Sequence, residues 1–333
     1  MPLACLPRRF AAQHLFGLAA ALAVLPALAF GFDLQGHRGA RGLAPENTLV
    51  AFDRALAVGV TTLELDIALT ADGVPVIAHD PHLPPDMARN DQGAWLTAPT
   101  PLIHSLTLAE LQTYDVGRAR DGSPTARNFP QQQPHDGEKL PTLAALFERV
   151  KALGATDVRF NIETKLNPEK PQETATPEAV VSAILRVVRE TGMDQRVTLQ
   201  SFDWRTLALA QKQAPGLPTA YLTVRTRSND SVASPLWTAG LRRADYPSVP
   251  DMVKAAGGAI WSPNFASLDA DAVRQAQRLG LKVIPWTVNE TADMQRLIEW
   301  GVDGIISDYP DRVRQVMTAR GLAVPKPFPE SSR

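Results

Sequence analysis

The stretch LQGHRGARGLAPENTLVAFDRAL, residues 34–56, contains the three parts of a strand, loop and helix unit. It begins inside the strand-like run FDLQGH, and Leu49, Phe52 and Leu56 recur at helical spacing toward its end. A glycine-containing loop that carries His37 and Arg38 lies between them. The stretch therefore predicts a sheet unit with a titratable ring and a permanent cation at the end of a strand.

The same unit recurs along the chain. Eight further strand-like runs are TTLELDIAL, VPVIAHD, VRFNIET, RVTLQSF, PTAYLTV, AIWSPN, KVIPWTV and GIISDY. Helix patterns lie between most of them, including a predicted Thr107/Glu110 capping box and the segment SLDADAVRQAQRLG, with Ser267 as its expected N-cap. This alternation predicts an α/β fold, and about eight units favour an irregular (β/α)8 TIM barrel over an open doubly wound sheet.

Two features depart from a regular barrel. Nine runs compete for eight places, and the linker TADG between the second and third runs is too short for a helical crossover. One run is therefore expected to form an extra hairpin or an irregular unit. Residues 80–140, after the third strand, are rich in Pro, Gly, Gln and Asp and are typical of a lid or a substrate-facing subdomain. A disordered excursion is the alternative for their glutamine-rich part.

The N-terminal segment MPLACLPRRFAAQHLFGLAAALAVLPALAF differs from the rest. Arg8 and Arg9 precede an apolar run that is too short to span a membrane, and Ala27 and Ala29 follow in the arrangement of a signal peptidase site. We expect residues 1–29 to be a cleaved signal peptide, with an uncleaved interfacial anchor as the alternative. The protein would then be periplasmic or secreted, without stable membrane insertion, with a barrel domain at 30–320 and a tail at 321–333.

Composition excludes several classes of function. The chain has 333 residues, of which 44% are apolar and 21% charged, and a formal net charge of −1. These values are typical of a soluble globular protein and give no reason to expect a nucleic-acid partner. The single cysteine, Cys5, precedes the apolar run, so a processed chain would contain no cysteine nucleophile, disulfide or thiolate metal site.

Functional side chains follow the predicted strands at their carboxyl ends, where barrel enzymes have their active sites. They are His37 and Arg38, Glu64 and Asp66, His79 and Asp80, and Glu163 and Lys165. Because side chains alternate along a strand, Glu64 and Asp66 share one face, and so do Glu163 and Lys165. We expect all of these groups to meet at one mouth of the barrel.

Three carboxylates in contact repel one another by about 4 kcal/mol per pair at an effective dielectric constant of 20. A divalent cation bound by Glu64, Asp66 and Glu163 would remove that repulsion, and oxygen-only ligands favour Ca²⁺ or Mg²⁺. Arg38 and Lys165 indicate an anionic substrate, for which a phosphate ester is the natural candidate. Two histidines, His37 and His79, are suited to act as its acid and base.

The chain also resembles a known family. The motifs GHRGARGLAPENTLVAF, ELDIALTADGVPVIAHD, LTLAEL, LPTL, NIETK, QSF, WTVN and GVDGIISDYPD occur in the order found in glycerophosphodiester phosphodiesterases, over residues 35–313. The resemblance implies an irregular barrel shared with phosphatidylinositol-specific phospholipases C, a divalent metal, and hydrolysis of glycerophosphodiesters to glycerol 3-phosphate and an alcohol. It gives the same roles to the residues named above and adds Trp286 as a wall of the alcohol pocket. The long 80–140 segment departs from the family pattern.

Several alternatives stay open at this level. Asn47 is predicted to cap the helix that follows it, with a substrate role as the alternative. Gln200 and Ser201 lie at the barrel mouth, and Asp80 is expected either to orient His79 or to cap a loop. The sequence separates neither the two histidine roles nor a cyclic-phosphate route from direct attack by water.

Two other functions compete with the main one. A lysophospholipase D or other phosphodiesterase would be favoured by an apolar groove lined by Trp95, Leu96 and Phe129. A non-catalytic, exported phosphodiester-binding protein is disfavoured because every expected acid, base and ligand position is filled. The oligomeric state is not predicted.

Overall fold

The computed structural model describes Met1 and residues 31–329, so the predicted signal peptide lies outside the described residues apart from Met1. The strands are β1 (Asp33–Gly36), β2 (Thr62–Leu69), β3 (Pro75–Ile77), β4 (Arg159–Thr164), β5 (Val197–Ser201), β6 (Thr219–Thr223), β7 (Ile260–Pro263), β8 (Lys282–Val283) and β9 (Gly304–Ser307). The helices are α1 (Leu49–Val58), α2 (Leu108–Leu111), α3 (Pro124–Asn128), α4 (Leu143–Ala152), α5 (Pro177–Glu190), α6 (Trp204–Gln213), α7 (Val249–Ala255), α8 (Ala270–Arg278), α9 (Thr291–Glu299) and α10 (Pro310–Ala319).

Eight of these strands form a nearly closed parallel barrel. Their order is β8, β7, β6, β5, β4, β2, β1 and β9. The gap between β8 and β9 is bridged by backbone hydrogen bonds, from Asp303 N–H to the Val283 carbonyl at 2.9 Å and from Ile306 N–H to the Pro285 carbonyl at 3.0 Å. The predicted TIM-like barrel is therefore confirmed. The ninth run is β3, which pairs antiparallel with β2 as the extra hairpin.

The barrel has an apolar outer layer and a polar interior. Leu63, Leu65 and Ile67 on β2 are fully buried and belong to the main hydrophobic core, which lies between strands and helices. Truncating such a residue to alanine typically costs about 2–5 kcal/mol of unfolding free energy. The alternate positions on the same strand, Glu64 and Asp66, are also buried. Because side chains alternate along the strand, the outward face of β2 contributes to the hydrophobic core and its inward face carries the candidate site carboxylates.

Helix caps agree only partly with the sequence prediction. The capping box of Thr107 and Glu110 is present at the start of α2. The N-cap of α8 is Asp269, whose carboxylate accepts from Ala272 N–H at 2.8 Å, and not Ser267. Ser267 instead ends a short 3₁₀ turn, where its hydroxyl accepts from Arg225 N–H at 2.9 Å. The Asp269 carboxylate caps the helix because it is next to the first helical residue, whereas the Ser267 hydroxyl lies two residues earlier.

The 80–140 segment lies between β3 and α4, where the sequence predicted it, and shares a small hydrophobic core with β3 and the residue that follows it. That core contains Val76, Ala78, Leu83, Ala88, Ile103, Leu111, Val116 and Leu140. The glutamine-rich part is tied to the loop after β1, because Gln132 donates to the Arg41 carbonyl at 2.8 Å and Gln133 N–H donates to the Leu43 carbonyl at 2.9 Å. The alternative of a disordered excursion is therefore wrong for this part of the chain.

Among the described residues, no helix combines the length and the apolar character that crossing a membrane requires.

Candidate active site

Sheet register brings the three predicted carboxylates together. Asp66 on β2 pairs with Glu163 on β4, and Glu163 pairs with Gln200 on β5. Glu64, one inward position earlier on β2, completes the group. Each of the three carboxylates offers an oxygen, and these oxygens all lie within 4.8 Å of one another. All three residues are buried, so their mutual repulsion is poorly screened by water.

The loop after β1 adopts a strained conformation over this group. Arg38 has φ 49° and Asn47 has φ 56°, both in the left-handed region that costs an ordinary residue about 1–3 kcal/mol. The two are locked to each other because Asn47 N–H donates to the Arg38 carbonyl at 3.0 Å. Gly39 is needed between them, since a Cβ there would lie 2.6 Å from the Ala51 backbone. Such strain is typical of functional loops.

His37 is held by a carboxylate that the sequence analysis missed. Its Nδ1 lies 2.6 Å from Oδ1 of Asp308, and Asn289 donates to the other Asp308 oxygen at 2.7 Å. Burial alone would raise the pKa of Asp308, but His37, together with the Arg41 charge and the Asn289 hydrogen bond, lowers it to about 2, so the carboxylate only accepts. Nδ1 of His37 therefore carries the proton, and Nε2, 4.0 Å from Glu64, is left to act in the site.

His79 has a similar partner. Its Nδ1 lies 2.7 Å from Oδ1 of Asp80, which is the orienting contact that the sequence left open. Burial, with the charges of Lys165 and Arg38, lowers the pKa of His79, and burial also lowers the pKa of His37. Both rings are therefore biased toward the neutral form near neutral pH. His79 is the more exposed, with 30% of its side chain accessible against 13% for His37.

The two predicted cations interleave with the carboxylates. Nζ of Lys165 donates to Glu163 at 2.8 Å and lies 3.8 Å from Asp66, and Nε of Arg38 lies 3.4 Å from Asp66. Arg38 also donates to Glu46 at 2.6 Å. Glu46, in the motif PENT, was not predicted as a site residue, although its place two residues before Thr48 puts it in the same loop.

The surroundings shift the pKa values of the site carboxylates in opposite directions. Burial and the charges of Asp66 and Glu163 raise the pKa of Glu64 well above its usual range. Burial would also raise the pKa of Asp66, but His79, Arg38 and Lys165, with a hydrogen bond from Asn47, hold it below its ordinary value. Glu64 is thus the carboxylate with the least compensated charge.

The residues fit a bound cation. Oδ1 of Asp66 is buried and accepts no hydrogen bond, and Oδ1 of Asn47 is in the same condition. Buried oxygens without a donor are costly unless a cation or water satisfies them. Asn47 does not cap α1, because Thr48 does so; its amide donates to Asp66 at 3.0 Å. All available ligands are oxygens, which is the set that hard divalent cations prefer.

A chain of buried amides supports Glu64 from inside the barrel. Gln35 donates to Asp33 at 3.0 Å, and Asn161 donates to both Gln35 and Gln200 at 2.9 Å. Gln200 then donates to Glu64 at 2.7 Å. Because a carboxylate only accepts, Asp33 at one end fixes the orientation of every amide up to the site. The side chain of Gln200 is therefore tied to Glu64.

The groups open into a cavity of about 150 Å³. Seven of the eight predicted site residues line it: His37, Arg38, Glu64, His79, Glu163, Lys165 and Trp286. The eighth, Asp66, has no exposed surface and lies behind the others. Trp286 is fixed by donation to the Ser262 carbonyl at 2.9 Å and by an edge contact with Phe202, with ring centroids 5.4 Å apart.

Comparison with known proteins agrees with this geometry. The sequence profile of the glycerophosphoryl diester phosphodiesterase family matches residues 37–312. The chain belongs to this family. It is accordingly an enzyme, a phosphoric diester hydrolase, and the resemblance inferred from the motifs is confirmed.

Other members have similar sequences and folds. The glycerophosphodiester phosphodiesterase of Caldanaerobacter subterraneus subsp. tengcongensis is 29% identical over 285 residues, which are 86% of this chain and 97% of that protein. A crystal structure of a Silicibacter pomeroyi protein assigned to the same activity is 37% identical, with a TM-score of 0.80 over 88% of this chain and 95% of the other. A phosphodiesterase of Oleispira antarctica, in complex with the product sn-glycerol-3-phosphate, shares the fold at 23% identity, with a TM-score of 0.63 over 87% and 98% of the two chains.

Proposed function

We propose that this enzyme hydrolyses glycerophosphodiesters to sn-glycerol 3-phosphate and an alcohol, with a divalent metal and two histidines. One observation carries the proposal: a buried carboxylate trio, two cations and two carboxylate-paired histidines converge on a single cavity. The family relation supports the diester as the substrate class.

Glu64, Asp66 and Glu163 would hold the metal, and their oxygen ligands favour Ca²⁺ or Mg²⁺. When bound, such an ion supplies stabilisation of negative charge on the phosphoryl oxygens. Arg38 and Lys165 add to this effect as a bidentate donor and a point charge. Both are held in place by carboxylates, so they meet the phosphate without reorganisation.

His37 and His79 would carry out the proton transfers. One histidine takes a proton from a glycerol hydroxyl as that oxygen attacks phosphorus, and the other protonates the departing alcohol. Water then opens the resulting cyclic phosphate, with the two proton transfers running in the opposite sense. Direct attack by water on the diester is the competing route. In either route Asp308 keeps the proton of neutral His37 on Nδ1, which leaves Nε2 to exchange protons with substrate.

Trp286 would form a wall of the substrate cavity, since it lines that cavity together with Phe202. We also propose that residues 1–29 direct export and are removed, which would make the mature enzyme periplasmic or secreted. N-terminal sequencing of exported protein should then give a start near Phe30. An intact Met1 on the exported protein would contradict cleavage.

The lysophospholipase D alternative has no support from the structure. Phe129 is buried under the Arg41 guanidinium, 4.4 Å from the ring centroid, and Trp95 lies 5.4 Å from Arg89. Leu96 packs on the small core of the 80–140 segment. The three side chains therefore have different partners, Arg41, Arg89 and the small core, and none of them is in the lining of the active-site cavity or of the larger cavity beside it.

The direct test is release of glycerol 3-phosphate from glycerophosphocholine by the mature chain. EDTA should abolish release, and Ca²⁺ or Mg²⁺ should restore it. Undiminished activity in a metal-free preparation would contradict the metal assignment. Absence of release with every metal and every diester tried would contradict the proposed function.

A further inference from the structure

A second and larger cavity, of about 480 Å³, adjoins the active-site cavity. The two share His79, Glu163, Lys165 and Phe202 as common wall. His37 and Trp286 line only the smaller one, so an alcohol in the larger cavity would not contact Trp286, in contrast to the alcohol-pocket role that the family resemblance implies for this residue. A phosphate held by the shared residues would therefore have room for one substituent in each cavity, and the larger cavity is the one able to take a bulky alcohol.

The larger cavity is rich in negative charge. One lysine, Lys165, stands against five carboxylate residues in its lining: Asp80, Glu163, Glu169, Glu173 and Asp230. Lys165 is already paired with Glu163. Glu173 and Asp230 also have partners, Lys170 at 3.2 Å and Arg225 at 3.0 Å. Within residues 31–329, Glu169 has no ion-pair partner, so its charge is available to a ligand.

Glu169 is combined with an aromatic ring. The indole N–H of Trp237 donates to the Glu169 carboxylate at 3.0 Å, and both residues line the cavity. A carboxylate and an indole side by side attract a cation through charge and through the ring quadrupole. Neither interaction is available to a neutral or anionic group. Phe202 adds a second ring at the junction with the active site.

This pair is built from two loops and is anchored before a ligand arrives. Glu169 lies between β4 and α5, and Trp237 lies between β6 and α7. The Trp237 carbonyl accepts from Trp204 N–H at 2.9 Å, at the start of α6, which ties its loop to the barrel. The indole hydrogen bond then joins the two loops across the cavity. A preformed arrangement of this kind reduces the ordering cost of binding.

We propose that the larger cavity is a leaving-group subsite that selects diesters of a cationic alcohol, of the choline and ethanolamine class. Glu169 and Trp237 are its specificity-determining residues. The proposal rests on the proposed function, because it assumes that the phosphate of a diester lies against His79 and Lys165.

The sharpest test compares two diesters that differ in one atom. Glycerophosphocholine carries a trimethylammonium group. The corresponding ester of 3,3-dimethylbutanol replaces that nitrogen with carbon, so its alcohol group is neutral while the phosphodiester charge is the same. We expect kcat/KM to favour the choline ester by about 3- to 30-fold, the range that cation–π contacts supply. Equal kcat/KM for the two esters would overturn the proposal.

Variants assign the preference to the pair. Trp237→Leu should reduce the ratio of the two kcat/KM values toward one, and Glu169→Gln should reduce it by a smaller factor, because that carboxylate is exposed to water. Glu190→Gln, at the exposed end of α5, removes a matched charge elsewhere and should leave the ratio unchanged. A ratio that survives Trp237→Leu in a variant that melts at the wild-type temperature would overturn the assignment.

Calorimetry separates this proposal from the proposed function. Choline should bind the mature protein more tightly than 3,3-dimethylbutanol does, and Trp237→Leu should reduce the difference. That result would support the subsite even in a preparation that hydrolyses no diester. Equal affinity for the two alcohols, with hydrolysis intact, would overturn the subsite and leave the proposed function standing.

Discussion

The active-site cavity and the larger cavity beside it are built in different ways. In the first, Glu64, Asp66 and Glu163 project from strands whose pairing fixes their positions, and each is buried. In the second, Glu169 and Trp237 come from loops and are partly or largely exposed. Barrel enzymes commonly keep reaction chemistry near strand ends and vary selectivity in loops. The contrast implies that changes at the strand ends should abolish turnover, whereas changes in the loops should redirect it.

The largest expected effect is at the two histidines. His37→Ala or His79→Ala should each lower kcat by about 10²- to 10⁴-fold, which is typical of a lost general acid or base. Metal affinity should change much less, since ligation is assigned to carboxylates. The double variant should fall little below the worse single variant, because residues that act as a unit are not additive.

A nitrophenyl diester separates the two histidine roles. Its acidic leaving group departs without a proton, so it should rescue only the variant that lost the general acid. If both single variants keep near-normal rates, the histidines are structural. Substitutions at the strand ends would then lower turnover no more than substitutions in the loops do.

The next effect is at the metal ligands. Glu64→Gln should lower activity by about 10³-fold, because metal catalysis supplies several kcal/mol and each 1.4 kcal/mol is a factor of ten. Titration with Ca²⁺ or Mg²⁺ should show weakened binding and partial rescue at high concentration. Glu190→Gln, which removes an exposed carboxylate, serves as the control. A normal metal affinity in Glu64→Gln would remove this residue from the site.

Asp308→Asn tests the support of His37 and predicts a pH effect. The Asp308 charge raises the pKa of His37 against the larger effect of burial, so removing that charge should lower this pKa further. The limb of the pH–rate profile that His37 controls should therefore move to lower pH, whether His37 is acid or base. The lost hydrogen bond to a charged group should also reduce kcat by about 10- to 100-fold. A limb that stays fixed or moves to higher pH would contradict the pairing.

The smallest expected effect is at the barrel interior. Gln200→Leu removes the amide that donates to Glu64 and leaves Asn161 with one acceptor, Gln35, in place of two. Metal affinity should fall by at least about tenfold, the lower end for partners that orient a ligand. Gln200→Glu is a harsher companion, because it adds a buried negative charge. If Gln200→Leu binds metal normally, the amide chain stabilises the barrel without orienting the site.

The sequence was most informative where chemistry and local pattern coincide. Strand alternation and barrel geometry were enough to bring Glu64, Asp66, Glu163 and both histidines to one mouth. The predicted helix caps were less reliable. The N-cap of α1 is Thr48 and not Asn47, and the N-cap of α8 is Asp269 and not Ser267. Several side chains within one turn can accept from the same backbone donors, so the sequence alone does not select one of them. Asn47 could not be assigned from its motif, since its contact with Asp66 depends on a left-handed backbone.

By itself the sequence determined the order of strands and helices along the chain. It also determined which candidate site residues lie at the carboxyl ends of the strands, because both follow from local periodicity. Only the tertiary structure decided which distant residues complete them. Asp308 is 271 residues from His37, and Trp237 is 68 residues from Glu169. Such contacts depend on closure of the barrel and on the paths of its loops, which no local pattern encodes. The orientation of His37 and the charged ring pair of the larger cavity therefore became visible only in the folded chain.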